Sequence, residues 1–257
     1  MKTLTLYIAI ALLLVTTIWT LPAESAAKRD KQYIAKQITN LKVDGDLSEW
    51  KRAEFVDFDE LKDAGAALPK SSDFTGRAAI AWTEADPTRI YFAVEIIDDK
   101  LQDIHAFNDK WWEDDSVEFM FDFENEVVKG SLVQFTLGAN GKDLSAAASQ
   151  ENTEWVVINN GNDYIYEVAV DPTKFPRGPN PGNATKGKDF KAEDGLLIGF
   201  SFHANDCENG TREHQLGWIP GNAWDPLAYG DLVFDSEILS VEASRKLAVT
   251  WGSLKAR

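Results

Sequence analysis

The stretch RAAIAWT (residues 77–83), EADPT (84–88) and RIYFAVEIID (89–98) decides the fold. In its second arm Ile90, Phe92, Val94 and Ile96 fall on one face, and a polar turn holding Pro87 separates the two arms. Alternation with period two on both sides of a short polar turn predicts a β-hairpin with one apolar face. The same rhythm recurs over Ser116 to Phe123, Ser131 to Leu137, Trp155 to Asn159, Asp163 to Asp171, Leu196 to Asn205 and Asp231 to Asp235, with Gly, Pro, Asn and Asp between. No long segment holds a helical period. A short helix near Leu47 to Ala53, capped by Asp46 or Ser48, is the best helical candidate. The expected class is all-β: an antiparallel β-sandwich of jelly-roll type, one domain with long loops.

The first residues stand apart from that pattern. Lys2, an apolar run from Leu4 to Leu21, Pro22 and then Ala23, Ser25, Ala26 and Ala27 read as a secretory signal over residues 1–27. The domain is expected over residues 33–237, with a tail of unassigned role over 238–257. Two long loops are expected inside it, Asp57 to Gly76 and Asp171 to Gly195, the second rich in Pro and Gly.

Of 257 residues, 26 are Lys or Arg and 42 are Asp or Glu, a formal net charge of −16. Such a surface repels phosphate backbones and anionic lipid, so nucleic acid is not an expected partner, nor a membrane once the signal is removed. Hydrophobic residues make up 44% of the chain, enough for a core. One cysteine, Cys207, forbids an internal disulfide, and its neighbours Asp206 and Glu208 disfavour a thiolate. Three histidines and one cysteine give no zinc spacing. The nearest phosphate-loop match, Gly182 to Asp189, puts an acid where a hydroxyl is required, so no nucleotide is expected.

What remains is aromatic and polar. Trp111 and Trp112 precede a strand whose Val117, Phe119, Phe121 and Phe123 face the core, which turns Ser116, Glu118, Met120 and Asp122 the other way. The same parity places Gln134 on the non-core face of its strand, and Ser201, His203 and Asn205 on the non-core face of theirs. If these strands share a sheet, the face is a shallow polar groove. Trp218 and Trp224 lie in a Gly, Pro and Asn rich loop; Trp224 is expected to anchor that loop and Trp218 to be exposed, while Trp50 and Trp82 are expected in the core. A sugar ring suits such a groove, because its C–H face packs on indole while its hydroxyls need carboxylate and amide partners.

The chain resembles carbohydrate-binding module family 9. The resemblance rests on the order of VDGDLSEW (43–50), IYFAV (90–94) with Asp98 and Asp99, WEDDSVE (112–118), and Trp224-Asp225-Pro226 near Tyr229-Gly230. It implies a β-sandwich that binds mono- or oligosaccharide ends without cleaving them, found as a module of xylanases and other glycoside hydrolases, often with structural calcium. It further implies Trp112 and Trp218 as an aromatic clamp, Glu118 as a sugar-binding carboxylate, and Gln134 and Asn205 as polar site residues. Asp44, Asp46, Asp98 and Asp99 are the implied calcium ligands. An arginine that follows the Gln-Phe pair in sugar-binding members is Thr136 here. Two other readings stay open: a glycosidase using Asp114, Asp115 and Glu118, and a haem module using Met120.

Overall fold

The computed structural model describes residues 29–105, 110–123, 125, 132–141, 153–174 and 190–239. The signal over 1–27 lies outside them, as does nearly all of the tail. Twelve strands run through the described residues: β1 (Gln32–Ile38), β2 (Val56–Asp57), β3 (Glu60–Leu61), β4 (Phe74–Trp82), β5 (Ile90–Asp98), β6 (Ser116–Asp122), β7 (Val133–Gly138), β8 (Thr153–Asn160), β9 (Asp163–Val170), β10 (Leu197–Glu208), β11 (Thr211–Gly217) and β12 (Gly230–Leu239).

They form one continuous sheet folded over on itself. One half has the order β7-β6-β10-β11-β3 and the other β8-β9-β5-β4-β1-β12, with β2 on β4. Strand β10 joins them, pairing with β12 through Leu197 to Phe200 and with β11 through His203 to Glu208. Pairing is antiparallel except where β1 lies parallel to β12 and to β4. The halves meet through aromatic contacts: Phe92 of β5 packs on Phe119 at 4.5 Å and on Phe200 at 5.5 Å between ring centroids. Alternation explains this core, because Ile90, Phe92, Val94 and Ile96 point inward together with Val117, Phe119 and Phe121, as their parity predicts.

A second apolar cluster covers the outer face of β4, β5 and β9. Ala79, Ala81, Ala93 and Ala169 leave room there for Trp50, which a 3-10 turn over Leu47–Trp50 presses onto the sheet. The predicted helix is this shorter turn, capped by Asp46, whose carboxylate accepts Ser48 N–H at 3.1 Å. Trp50 and Trp82 are buried, as expected.

Three expectations need correction. The stretch Asp57 to Gly76 is not one loop, since β3 and the start of β4 lie in it. Strand β11 went unassigned because Arg212, Glu213, His214 and Gln215 hide any alternation. The non-core face of β6 is not a solvated groove wall either: Ser116, Glu118, Met120 and Asp122 are all buried. One end of that face is closed by Arg29, whose guanidinium pairs with Asp122 at 2.8 Å and Asp231 at 3.2 Å. Gly199 is required beneath it, because a Cβ there would stand 2.5 Å from an Arg29 nitrogen.

Candidate functional site

The register sets polar side chains in rows across the sheet. Thr136, Glu118, His203 and Gly217 lie opposite one another on β7, β6, β10 and β11. On one side Gln134, Met120 and Ser201 form the next row; on the other stand Ser116, Asn205 and Gln215. The structure therefore brings three predicted site residues together, with Gln134 and Asn205 bonded to Glu118. Its Oε1 accepts Asn205 Nδ2 at 2.7 Å and Gln215 Nε2 at 3.2 Å, while Oε2 accepts Gln134 Nε2 and stands 3.2 Å from His203 Nε2. Burial pushes the Glu118 carboxyl up, but the opposing charge and hydrogen bond of His203, together with the Asn205 bond, bring it below its ordinary value. The carboxylate is held ionised in a buried setting.

Parity alone did not reveal Gln215, Arg212 and Lys62. Gln215 also donates to Asn205 Oδ1 at 2.9 Å, and Arg212 Nη1 does so at 3.1 Å. Lys62 comes from β3's end and reaches Ser201 Oγ at 3.3 Å. Thr136 Oγ1 and His203 Nδ1 are buried without a hydrogen-bond partner among the described residues.

The aromatic assignment is half overturned. Trp112 is 42% exposed, on a 3-10 turn (Trp111–Glu113) that packs against β10 and β11, and its carbonyl lies 3.8 Å from Cys207 Sγ. Trp218 is 1% exposed and faces the core: it stacks on Phe202 at 5.5 Å and 5°, and meets Tyr33 edge-on at 6.2 Å. The cause is parity, since Trp218 continues β11 from Gly217 and takes the same face as Leu216, which β11's last-residue turn permits. Gly230 makes the seat, because a Cβ on it would come within 2.6 Å of the indole. Trp224, expected to fold back, is 49% exposed instead. Its loop is tied to the rim of the polar face, with Ala223 N–H donating to Asp63 Oδ2 at 3.1 Å and Asp63 N–H to Gln215 Oε1 at 3.3 Å. The signal for it was the turn Asp225-Pro226, in which Asp225 caps the next 3-10 turn and leaves the preceding indole outside.

The predicted calcium ligands separate into two groups. Asp44 and Asp46 serve the turn that carries Trp50: Asp44 Oδ1 accepts Asp46 N–H at 3.0 Å, and Asp44 and Gly45 donate their N–H groups to Glu167. Asp98 instead joins Asp115 and Asp206, three buried carboxylates with oxygens within 4.8 Å of one another. Asp99 forms a neighbouring group with Asp73 and Glu208. Burial raises Asp98, Asp115 and Asp206, the second to about 9 and the third to about 6; the charge of Asp98 raises Asp115 and Asp206 further, and Asp99 raises Asp98. An all-oxygen set of buried, mutually repelling carboxylates fits a hard divalent cation such as calcium. Asp115 also accepts Cys207 N–H at 2.7 Å and Gln102 N–H, and Asp114 accepts Ile104 N–H at 3.0 Å and His105 N–H at 2.9 Å. Two of the three acids of the glycosidase reading, Asp114 and Asp115, are thus committed to holding the backbone of Gln102, Ile104, His105 and Cys207. Burial pushes the Cys207 thiol up.

Residues 43–236 match the family described as carbohydrate family 9 binding domain-like. Among solved structures, the fold is similar to a carbohydrate-binding module family 9 protein from Caldicellulosiruptor kristjanssonii in complex with glucose. That likeness has 16% identity and a TM-score of 0.61, covering 82% of this chain and 100% of that one. A structure of a family 9 module from the same organism, in complex with cellotriose, gives 15% identity and 0.61, covering 80% and 95%. No curated protein matches the chain.

Proposed function

The chain belongs to the carbohydrate family 9 binding domain-like proteins, and from that membership we propose that it binds the end of a mono- or oligosaccharide without cleaving it. One observation carries the reading: a buried carboxylate, Glu118, kept ionised by His203 and by Asn205, on a polar face of β6 and β10, with exposed indoles on the turn packed against β10 and β11 (Trp112) and on the loop tied to Gln215 through Asp63 (Trp224). The indoles pack on the apolar faces of a ring, and Glu118, Gln134 and Asn205 take its hydroxyls. Covering about 150 Å² of apolar surface contributes about 4 kcal/mol before ordering and desolvation are subtracted. Affinity is therefore micromolar or weaker. The ligands seen on the two structural neighbours, glucose and cellotriose, make glucose-type ends the first to try, with xylose-type ends second.

The wider setting follows from the sequence. The segment over 1–27 directs export, and the protein acts beside glycoside hydrolases in polysaccharide breakdown. Asp98, Asp115 and Asp206 would hold calcium, and Asp115 also holds Gln102 and Cys207, whose side chains reach the carbonyls of Glu113 and Trp112. Calorimetric titration with glucose, cellotriose and xylotriose tests the reading. Binding that Trp112→Ala and Trp224→Ala each abolish supports it. Absence of binding to every sugar, or release of shorter sugars from cellotriose or xylotriose, overturns it.

A further inference from the structure

Lys62 has no part in the reading so far. Its main-chain N–H donates to Gln215 O at 2.8 Å, so the side chain starts at the edge of the polar face. From there it crosses β11 at Gly217, the only kind of residue that permits the crossing. A Cβ at 217 would stand 3.1 Å from Lys62 Cδ, 3.2 Å from His203 Cβ and 2.9 Å from the carbonyl oxygen of Phe202. Nζ ends 3.3 Å from Ser201 Oγ and 3.4 Å from Ala228 O, both long contacts to neutral acceptors. Lys62 makes no ion pair among the described residues.

An ammonium has three protons to donate, and lysine is almost never this buried unless paired. Burial pushes its ammonium down to about 8, against the upward pull of Asp63 and Glu118. The fold therefore accepts an unfavourable charge that its own contacts do not repay. Ser201 and Gln134 lie on either side of Met120 in one row, so Lys62 approaches that row from the side opposite Gln134. Thr136 Oγ1 and His203 Nδ1, one row away, also lack hydrogen-bond partners among the described residues. A ring hydroxyl brought to Nζ would give the ammonium the further acceptor it lacks.

We propose that Lys62 is a ligand-binding residue of this saccharide site, donating to ring hydroxyls across from Gln134 and Glu118. It deepens the function proposed above and rests on it. Lys62→Met tests it, by titration with glucose, cellotriose and xylotriose and by thermal unfolding. The expected result is a loss of about tenfold or more in affinity, the size of a charge-assisted hydrogen bond. Thermal stability stays level or rises, because the buried charge is gone. Lys62→Gln, which keeps a donor, recovers part of the affinity. A lysine with only a structural role gives the reverse: lower stability, up to failure to fold, and unchanged affinity in the folded protein. Either part of that reverse pattern overturns the proposal. Parent binding with unchanged affinity in Lys62→Met sinks Lys62 and spares the sugar site, whereas a parent that binds none of the three sugars removes both.

Discussion

Replacing Trp218 and replacing the exposed indoles should have opposite consequences. Trp218 buries essentially its whole side chain, about 200 Å² for an indole, which at about 25 cal/mol per Å² amounts to about 5 kcal/mol. Alanine retains a small part of that, and a compact unfolded state reduces it further. Against this, the stack on Phe202 and the edge contact with Tyr33 are also lost. Gly230, which bounds the seat, has no side chain to relax into the hole. Trp218→Ala is therefore expected to destabilise by about 3 to 5 kcal/mol. Trp112 and Trp224 are close to half exposed, so alanine at either should cost about 1 kcal/mol or less while abolishing sugar binding. Urea unfolding followed by circular dichroism, with calorimetric titration on the same samples, measures both quantities. If Trp218→Ala unfolds within about 1 kcal/mol of the parent and loses binding, the indole is the platform after all and the face assignment of β11 is wrong.

Chelation should lower the melting temperature and weaken sugar binding together, with calcium restoring both, because Asp115 holds Gln102 and Cys207, whose side chains reach the carbonyls of Glu113 and Trp112; a melting curve indifferent to chelator removes the cation. Arg29→Met takes the guanidinium away from the buried acids Asp122 and Asp231 and should cost about 3 to 5 kcal/mol in a denaturant titration, whereas a near-parental midpoint means their remaining contacts suffice. Glu118→Gln keeps the side chain's shape but not its charge, and should reduce affinity about 10- to 100-fold; parental affinity on titration excludes the carboxylate from ligand contact.

The legible part of this protein was whatever period two could carry. Ile90 to Ile96 and Val117 to Phe123 announced inward faces, and the register then placed Glu118, Gln134 and Asn205 on one outward face, as their parity required. Parity tells which side a residue takes, not whether another layer covers that side. Lys62, Arg29 and the loop of Trp224 come from segments far away in sequence, and they bury a face that alternation alone shows as open.

The two indoles of the 217–231 loop show where such reasoning stops. Both sit among Gly, Pro and Asn, so composition treats them alike. Their fates diverge because Trp218 is the direct continuation of a strand, fixed to a face by its neighbours, while Trp224 lies between Asn222 and the Asp225 cap, each of which accepts a local backbone N–H, at 2.8 Å and 3.0 Å. Those local bonds close the loop without using the indole, and the ring is left exposed. The calcium ligands divided for the same reason. Asp44 and Asp46 each accept the N–H group two residues on, as turn carboxylates do. Asp98 also accepts Lys100 N–H at 2.9 Å, yet the fold sets it against Asp115 and Asp206, a pairing across strands that no local spacing displays. A carboxylate is available to a cation when distant acids converge on it, and that convergence is a property of register.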